Sequence, residues 1–273
     1  MLTVSTGPIV QYFIGTFDVH TFKNENPKET VLWMDYGPDS YAGVTFNSAP
    51  DSRRIFVSWM NRWEYADTLS FNEWNGQTSI PRDLRLVYSE TEKRLLLSTT
   101  PVPEIESLRT NTFHQKEVVL KPDRKVRIND LTRIESKLLD IRLKVDVSRF
   151  PQKSRFGLEF RGVNDKLIVY FDGSFGIDRR NAGRHDFSPK FANIYTAPRL
   201  TSPAATPLMD IRLILDVSSV ELFADNGRTV MTSLFFTDNN LTSDLNLFFE
   251  SLDKNFELKT TDLYVSQLKS IWS

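Results

Sequence analysis

Asp216 and Glu221 lie five residues apart in DVSSVELFAD, with Ser218 and Ser219 between them. Such a stretch invites two kinds of chemistry. One is a carboxylate pair for general acid–base work. The other is a serine nucleophile served by His185 and Asp216. The local pattern argues against both. Glu221 alternates with apolar Val220 and Leu222, as a solvent-facing strand position does. No nucleophile-elbow pattern surrounds either serine. The three histidines, His20, His114 and His185, are far apart and show no His-x-His or HExxH spacing, so no metal site is expected. The most basic spot, Arg179, Arg180, Arg184 and His185, reads as a solvated loop. No Gly-rich phosphate loop occurs, and no cofactor is expected.

Composition narrows the field further. Of 273 residues, 40% are hydrophobic and 25% charged, an ordinary globular balance. With 34 basic and 35 acidic residues the net charge is −1, which favours neither a nucleic acid nor an anionic membrane as partner. Cysteine is absent, so disulfides, thiolate metal ligands and thiol nucleophiles are excluded. No apolar run approaches the roughly 18 residues that span a bilayer. The opening MLTVSTGPIVQYF lacks a basic n-region and a clean apolar h-region, so no export signal is expected in the sequence as written, and the compartment stays open.

The elements that must position any site are strands. IVQYFIGTF, RRIFVSWM, RLLLST, IRLKVDV, RFGLEFRG, KLIVYFDG, TVMTSLFF and LNLFFES are short, rich in β-branched and aromatic residues, and partly alternating. Turn residues separate them, including Asn26-Pro27, Gly37-Pro38, Asn75-Gly76 and Asp172-Gly173. Asn226-Gly227 predicts a hairpin with a type I′ turn between VELFAD and RTVMTSLFF. One weak helix is expected at DLTRIESKLL, capped by Asp130. The chain therefore reads as all-β, with a boundary near TTPVPEIESLRTNTF. Trp-containing strands precede that segment and leaner strands follow it, with no further tryptophan until Trp272.

Four ordered blocks carry a resemblance: QYFIGTF (Gln11–Phe17), DYGPDSYAGVTF (Asp35–Phe46), SWMNRWEYA (Ser58–Ala66) and IPR (Ile80–Arg82). They resemble glycoside hydrolase family 32, which includes invertases, levanases, inulinases and other β-fructofuranosidases. RFGLEFR, GIDRRNAG, DFSPKF, TAPR and LILDVSSVELFADNGRTVMTSLFF are similar to the β-sandwich module of that family. The resemblance implies the last blades of a five-bladed β-propeller over residues 1–100, a linker over 101–112 and a C-terminal β-sandwich over 113–273. Roughly four strands make a blade. The first part thus offers too few strands for a closed propeller, and its open edges need a cover.

The implied chemistry is retaining cleavage of fructosyl bonds by two carboxyl groups about 5–5.5 Å apart. In the family the nucleophile sits in an Asn-Asp-Pro-Asn motif, a stabilising Asp in Arg-Asp-Pro, and the acid in Glu-Cys, all upstream of the QYFIGTF block. None of the three occurs in this sequence, and Pro81-Arg82-Asp83 has the wrong order. No catalytic residue is therefore expected, and the chain should be inactive alone. The resemblance places Trp63 in the wall of the fructose pocket, with Asn61 and Glu64 beside it and Asp39 and Tyr41 near the funnel mouth. Sugar C–H faces pack on aromatic planes, and sugar hydroxyls need fixed acceptors. Trp33, Trp59 and Trp74 are expected to be packing residues. The expected partners are a fructose-containing saccharide, the upstream propeller half, and a second copy pairing through the sandwich at the Asn226-Gly227 hairpin edge. Two other roles stay open: a fructan-binding module that does not cut, and a structural clamp.

Overall fold

The computed structural model describes residues 2–6, 9–69, 75–134, 136–237 and 241–271. Its first part is built from short antiparallel strands. β1 (Leu2–Thr6) pairs with β2 (Ile9–Phe13), and β3 (Gly15–Phe17) with β4 (Phe22–Asn24). β5 (Tyr41–Thr45), β6 (Ile55–Met60), β7 (Gln77–Thr78), β8 (Arg82–Ser89) and β9 (Arg94–Pro101) form one sheet in the order β5-β6-β8-β9, with β7 on β6. This sequential antiparallel four-strand order is that of a propeller blade. Val10, Tyr12 and Ile14 pack with Phe56, Leu84 and Leu97 in a separate apolar cluster.

The second part is a sandwich. Its larger sheet combines β10 (Arg109–Gln115), β11 (Val118–Leu120), β13 (Leu139–Asp146), β18 (Leu208–Leu215), β19 (Ser219–Ala224), β20 (Thr229–Leu234) and β22 (Leu258–Leu268), in the order β10-β22-β13-β18-β19-β20 with β11 on β22. The other sheet orders β12 (Arg124–Arg127), β21 (Asp244–Glu250), β14 (Arg155–Arg161), β15 (Lys166–Phe171), β16 (Ser174–Asn181) and β17 (Ile194–Pro198) as β12-β21-β14-β15-β16-β17. Leu139, Ile141, Leu143 and Val145 alternate inward along β13 and meet Phe156, Leu158, Phe160 and Leu247 in the main core.

Several expectations need correction at the join. The sandwich sheet begins at Arg109, which pairs with Leu268, so the link is the short 3₁₀ turn Pro103–Leu108 rather than all of 101–112. The helix α1 covers only Ile128–Thr132 and starts without a side-chain cap, because Asp130 lies inside its first turn and binds Arg127. The hairpin β19–β20 forms, but Ala224 pairs with Thr229 and leaves a four-residue loop, Asp225–Arg228, instead of a two-residue turn. Three successive residues there, Asp225, Asn226 and Gly227, have φ of 49°, 56° and 71°.

That hairpin tip is not a free edge for a second copy. Thr99 N–H donates to the Gly227 carbonyl at 2.8 Å, and Ser98 Oγ donates to the Asn226 carbonyl at 2.7 Å. A Cβ at Gly227 would stand 2.0 Å from the Thr99 carbonyl oxygen, so the approach needs glycine. The open edge of β20 is also occupied, since Tyr36 N–H donates to Val230 O and Asp39 N–H to Thr232 O.

The blade thus covers the outer side of β19 and β20, and every residue of both strands is buried. Glu221 is therefore not solvent-facing as its alternation implied; it is 2% exposed. Arg82 lies wholly buried beside it. Arg82 Nε donates to Glu221 Oε2 at 3.2 Å and Nη1 to Asp35 Oδ2 at 2.8 Å, and Ile80 N–H donates to Glu221 Oε1 at 3.0 Å. Asp35 Oδ1 also accepts from Gly37 N–H and Thr232 N–H, both at 2.8 Å. Burial opposes charge on Arg82, but Glu221 and Asp35 outweigh it and hold its pKa above the ordinary value.

Removing one member leaves uncompensated buried charge. Arg82→Met should cost about 3–5 kcal/mol, read as a lower urea midpoint at unchanged slope. A loss below about 1 kcal/mol would mean that the cluster is not closed as described.

Candidate carbohydrate-facing site

The expected site residues come from the loop before β5, from its first residue Tyr41 and from the segment after β6. The end of β6 delivers Trp59 and Met60, and the chain then turns through Asn61–Leu69, with Tyr65 and Ala66 N–H both donating to the Arg62 carbonyl. That turn throws Trp63 outward and Tyr65 inward: Trp63 is 60% exposed and Tyr65 is 1% exposed.

Trp63 does not stand alone. Its ring centroid lies 5.1 Å from Trp59 at 58°, and Trp59 meets Tyr41 edge-on at 6.5 Å. The three rings form a stepped aromatic ledge, with Tyr41 and Trp59 half-buried beneath the exposed Trp63. Trp59 is thus part of the ledge rather than core, and Trp33 is likewise only half-buried. Trp74 and Trp272 lie outside the described residues. Gly76 lets the backbone close over Trp59, because a Cβ there would fall 2.3 Å from Nε1.

Asp39 is corrected from the funnel mouth to the interior. It is fully buried and both of its oxygens are committed. Oδ1 accepts from Tyr65 Oη, while Oδ2 accepts from Arg179 Nη1 and from Leu234 N–H at 2.8 Å. Asn61 is also fully buried; its Oδ1 accepts from Arg62 N–H at 2.8 Å, and its Nδ2 is 3.4 Å from Asn75 Oδ1. Neither side chain is exposed at the surface of the ledge. Glu64 is at the surface, ion-paired with Arg62 and with Lys190 Nζ at 3.0 Å.

The residue that the sequence reading most misplaced is Arg179. Expected in a solvated loop, it lies on β16 and is 1% exposed, while Arg180, Arg184 and His185 do face solvent. Its guanidinium carbon is 3.8 Å from the Phe191 ring centroid. Its Nε donates to the Phe191 carbonyl at 2.7 Å, and its Nη2 to Tyr65 Oη at 3.0 Å. Tyr65 joins this network while meeting Phe191 edge-on at 5.2 Å. Burial, and next Asp39, push the Tyr65 hydroxyl well above its ordinary pKa, so it stays a neutral donor. No local signal marks these partners, since Arg179 is 140 residues from Asp39.

Tyr65→Phe should keep the ring contacts while leaving an Asp39 oxygen unpaired. The expected loss is about 1–3 kcal/mol in chemical denaturation. A variant as stable as the parent would show that the hydroxyl contributes nothing to the join.

Comparisons with known proteins bear on the family and the fold. Residues 3–99 match the family model for the glycosyl hydrolases family 32 N-terminal domain, and residues 104–264 match that for the family 32 C terminal. A levanase of Bacillus subtilis (strain 168) is 33% identical over 98% of this chain and 39% of its own length. An extracellular exo-inulinase of Aspergillus awamori is 27% identical over 87% of this chain and 44% of its own. The solved fructofuranosidase of Schwanniomyces occidentalis in complex with fructose superposes with a TM-score of 0.81 at 23% identity, over 96% of this chain and 54% of that one. At that identity the likeness speaks for the fold. The chain thus spans between about two fifths and about half of these relatives. It belongs to glycosyl hydrolases family 32.

Proposed function

We propose that the chain supplies one wall of a fructosyl-binding pocket and binds fructose-containing saccharides through the ledge of Trp63, Trp59 and Tyr41. The observation that carries this is the outward Trp63, braced by a second indole and left 60% exposed. An exposed tryptophan held rigid from below suits the C–H face of a sugar ring. The family relatives named levanase and exo-inulinase favour a fructan as the saccharide.

The same reading holds that this chain does not cleave the bond alone. The 273 residues contain no Asn-Asp-Pro-Asn, Arg-Asp-Pro or Glu-Cys motif. Of the acids placed at the ledge by sequence, Asp39 is buried with both oxygens bound, and Glu64 is held by two cations. Retaining cleavage needs an opposed carboxyl pair, which these two do not form. The carboxylates would come from further propeller blades, in the same polypeptide or in another. A groove of about 620 Å³ on the blade, lined by Met34, Val44, Phe56, Leu84, Leu86 and Leu97, supports such a neighbour. Val44 and Leu86, 63% and 45% exposed, lie together in this apolar groove, and a contiguous exposed apolar patch suits a partner surface.

Two measurements test the reading. In isothermal titration, short inulin-type oligofructose should bind, and Trp63→Ala should weaken binding about tenfold, equivalent to about 1.4 kcal/mol. Equal affinity in both proteins would sink the ledge. Incubated with sucrose, inulin or levan, the chain alone should release no fructose above buffer; release abolished by a single carboxylate substitution within these residues would refute the second claim.

A further inference from the structure

We propose that Lys190, on the sandwich, is a positioning residue for the sugar-facing turn of the blade. The inference rests on Trp63 being the fructosyl wall and names what fixes that wall across the domain boundary. Lys190 Nζ donates to Glu64 Oε1 at 3.0 Å, and Arg62 pairs with Oε2 of the same carboxylate. Trp63 is the residue between Arg62 and Glu64. Its two neighbours are thus tied to each other, and one of them is tied to the other domain.

Lys190 is itself well placed to act as a fixed post. It lies in the segment between β16 and β17 that carries Phe187 and Phe191. Both rings meet Tyr65 edge-on, at 6.5 and 5.2 Å. Met60, Tyr65 and Leu69 share a buried cluster with Phe191 and Leu234. The Lys190 carbonyl accepts from Tyr195 Oη at 3.2 Å. The inward half of the turn is therefore anchored by apolar packing and by Arg179. Among the described residues, the outward half, which carries Trp63, is tied to the sandwich by the Glu64–Lys190 contact.

Magnitude decides what this contact does. The Lys190 side chain is 61% exposed, and exposed ion pairs add little to global stability. Its effect belongs to the orientation of the ledge, and so to sugar affinity. Among the described residues, the charged groups facing Glu64 are Arg62 on its own turn and Lys190 on the sandwich. Burial pushes the Glu64 carboxyl up, but the hydrogen bond from Lys190 and the charges of Arg62 and Lys190 outweigh it and leave it below the ordinary glutamate range. The sign follows: the tie is complete above that range and is lost as pH falls through the lowered value.

The test uses the full chain and short inulin-type oligofructose in isothermal titration. Lys190→Met should weaken binding about fivefold with an unchanged thermal midpoint, and Lys190→Arg should restore it. Parental affinity should fall on acidification below the ordinary glutamate range, and the fall should be smaller in Lys190→Met. Parental affinity and an unaltered pH profile in Lys190→Met would overturn the proposal. If no form of the chain binds oligofructose, the functional reading fails, and hydrogen exchange of the Arg62–Leu69 amides then tests the positioning by itself. Faster exchange in Lys190→Met, rescued by Lys190→Arg, would support it; identical exchange in all three would overturn it.

Discussion

Two arginines without access to water hold the two halves of this protein in register. Arg82, from the blade, reaches Asp35 of its own part and Glu221 of the sandwich. Arg179, from the sandwich, reaches Asp39 and Tyr65 of the blade. The exchange is reciprocal, since each domain contributes one cation and receives one acid from the other. Buried ion pairs are weak evidence for net stability, because desolvation offsets much of their attraction. Their value here is geometric. A guanidinium offers five N–H donors in a fixed fork, and it is satisfied only when each acceptor sits in one place.

That geometry carries through to the ledge. Asp35 and Asp39 bracket the stretch that covers the edge of β20, and Tyr41 follows directly into β5. Tyr65 Oη meets Asp39 and Arg179, and two residues earlier the same turn presents Trp63 to solvent. The aromatic ledge is therefore built on a foundation that belongs to both domains. A blade separated from its sandwich would keep Arg82–Asp35 and Tyr65–Asp39 but lose Glu221 and Arg179, the partners that complete both clusters.

Much of the fold was legible from local pattern. Period-two alternation marks β13 as half-buried, and the run of β-branched and aromatic residues marks β14, β15 and β21. The ordered motif blocks led to the family, and through it to Trp63, which the structure leaves outward. The largest misplacements share a reason. Glu221 and Arg179 are read from neighbours in sequence and Asp39 from a motif block, yet the surroundings of each include residues about 140 or more positions away. Alternation around Glu221 describes a strand with one wet face; here both faces are covered. A partial signal existed in β20, where Thr229, Thr232 and Ser233 are small hydroxyl residues suited to hydrogen bonding at a buried polar join. Arg82 within the IPR block was noticed as a motif member, but nothing local names its partners.

With both clusters shared across the join, blade and sandwich are expected to fold as one unit. Differential scanning calorimetry of the intact chain tests it most directly. A single transition with calorimetric enthalpy equal to the van't Hoff value is the predicted result. Two resolved transitions, with the blade melting while the sandwich stays folded, would contradict it.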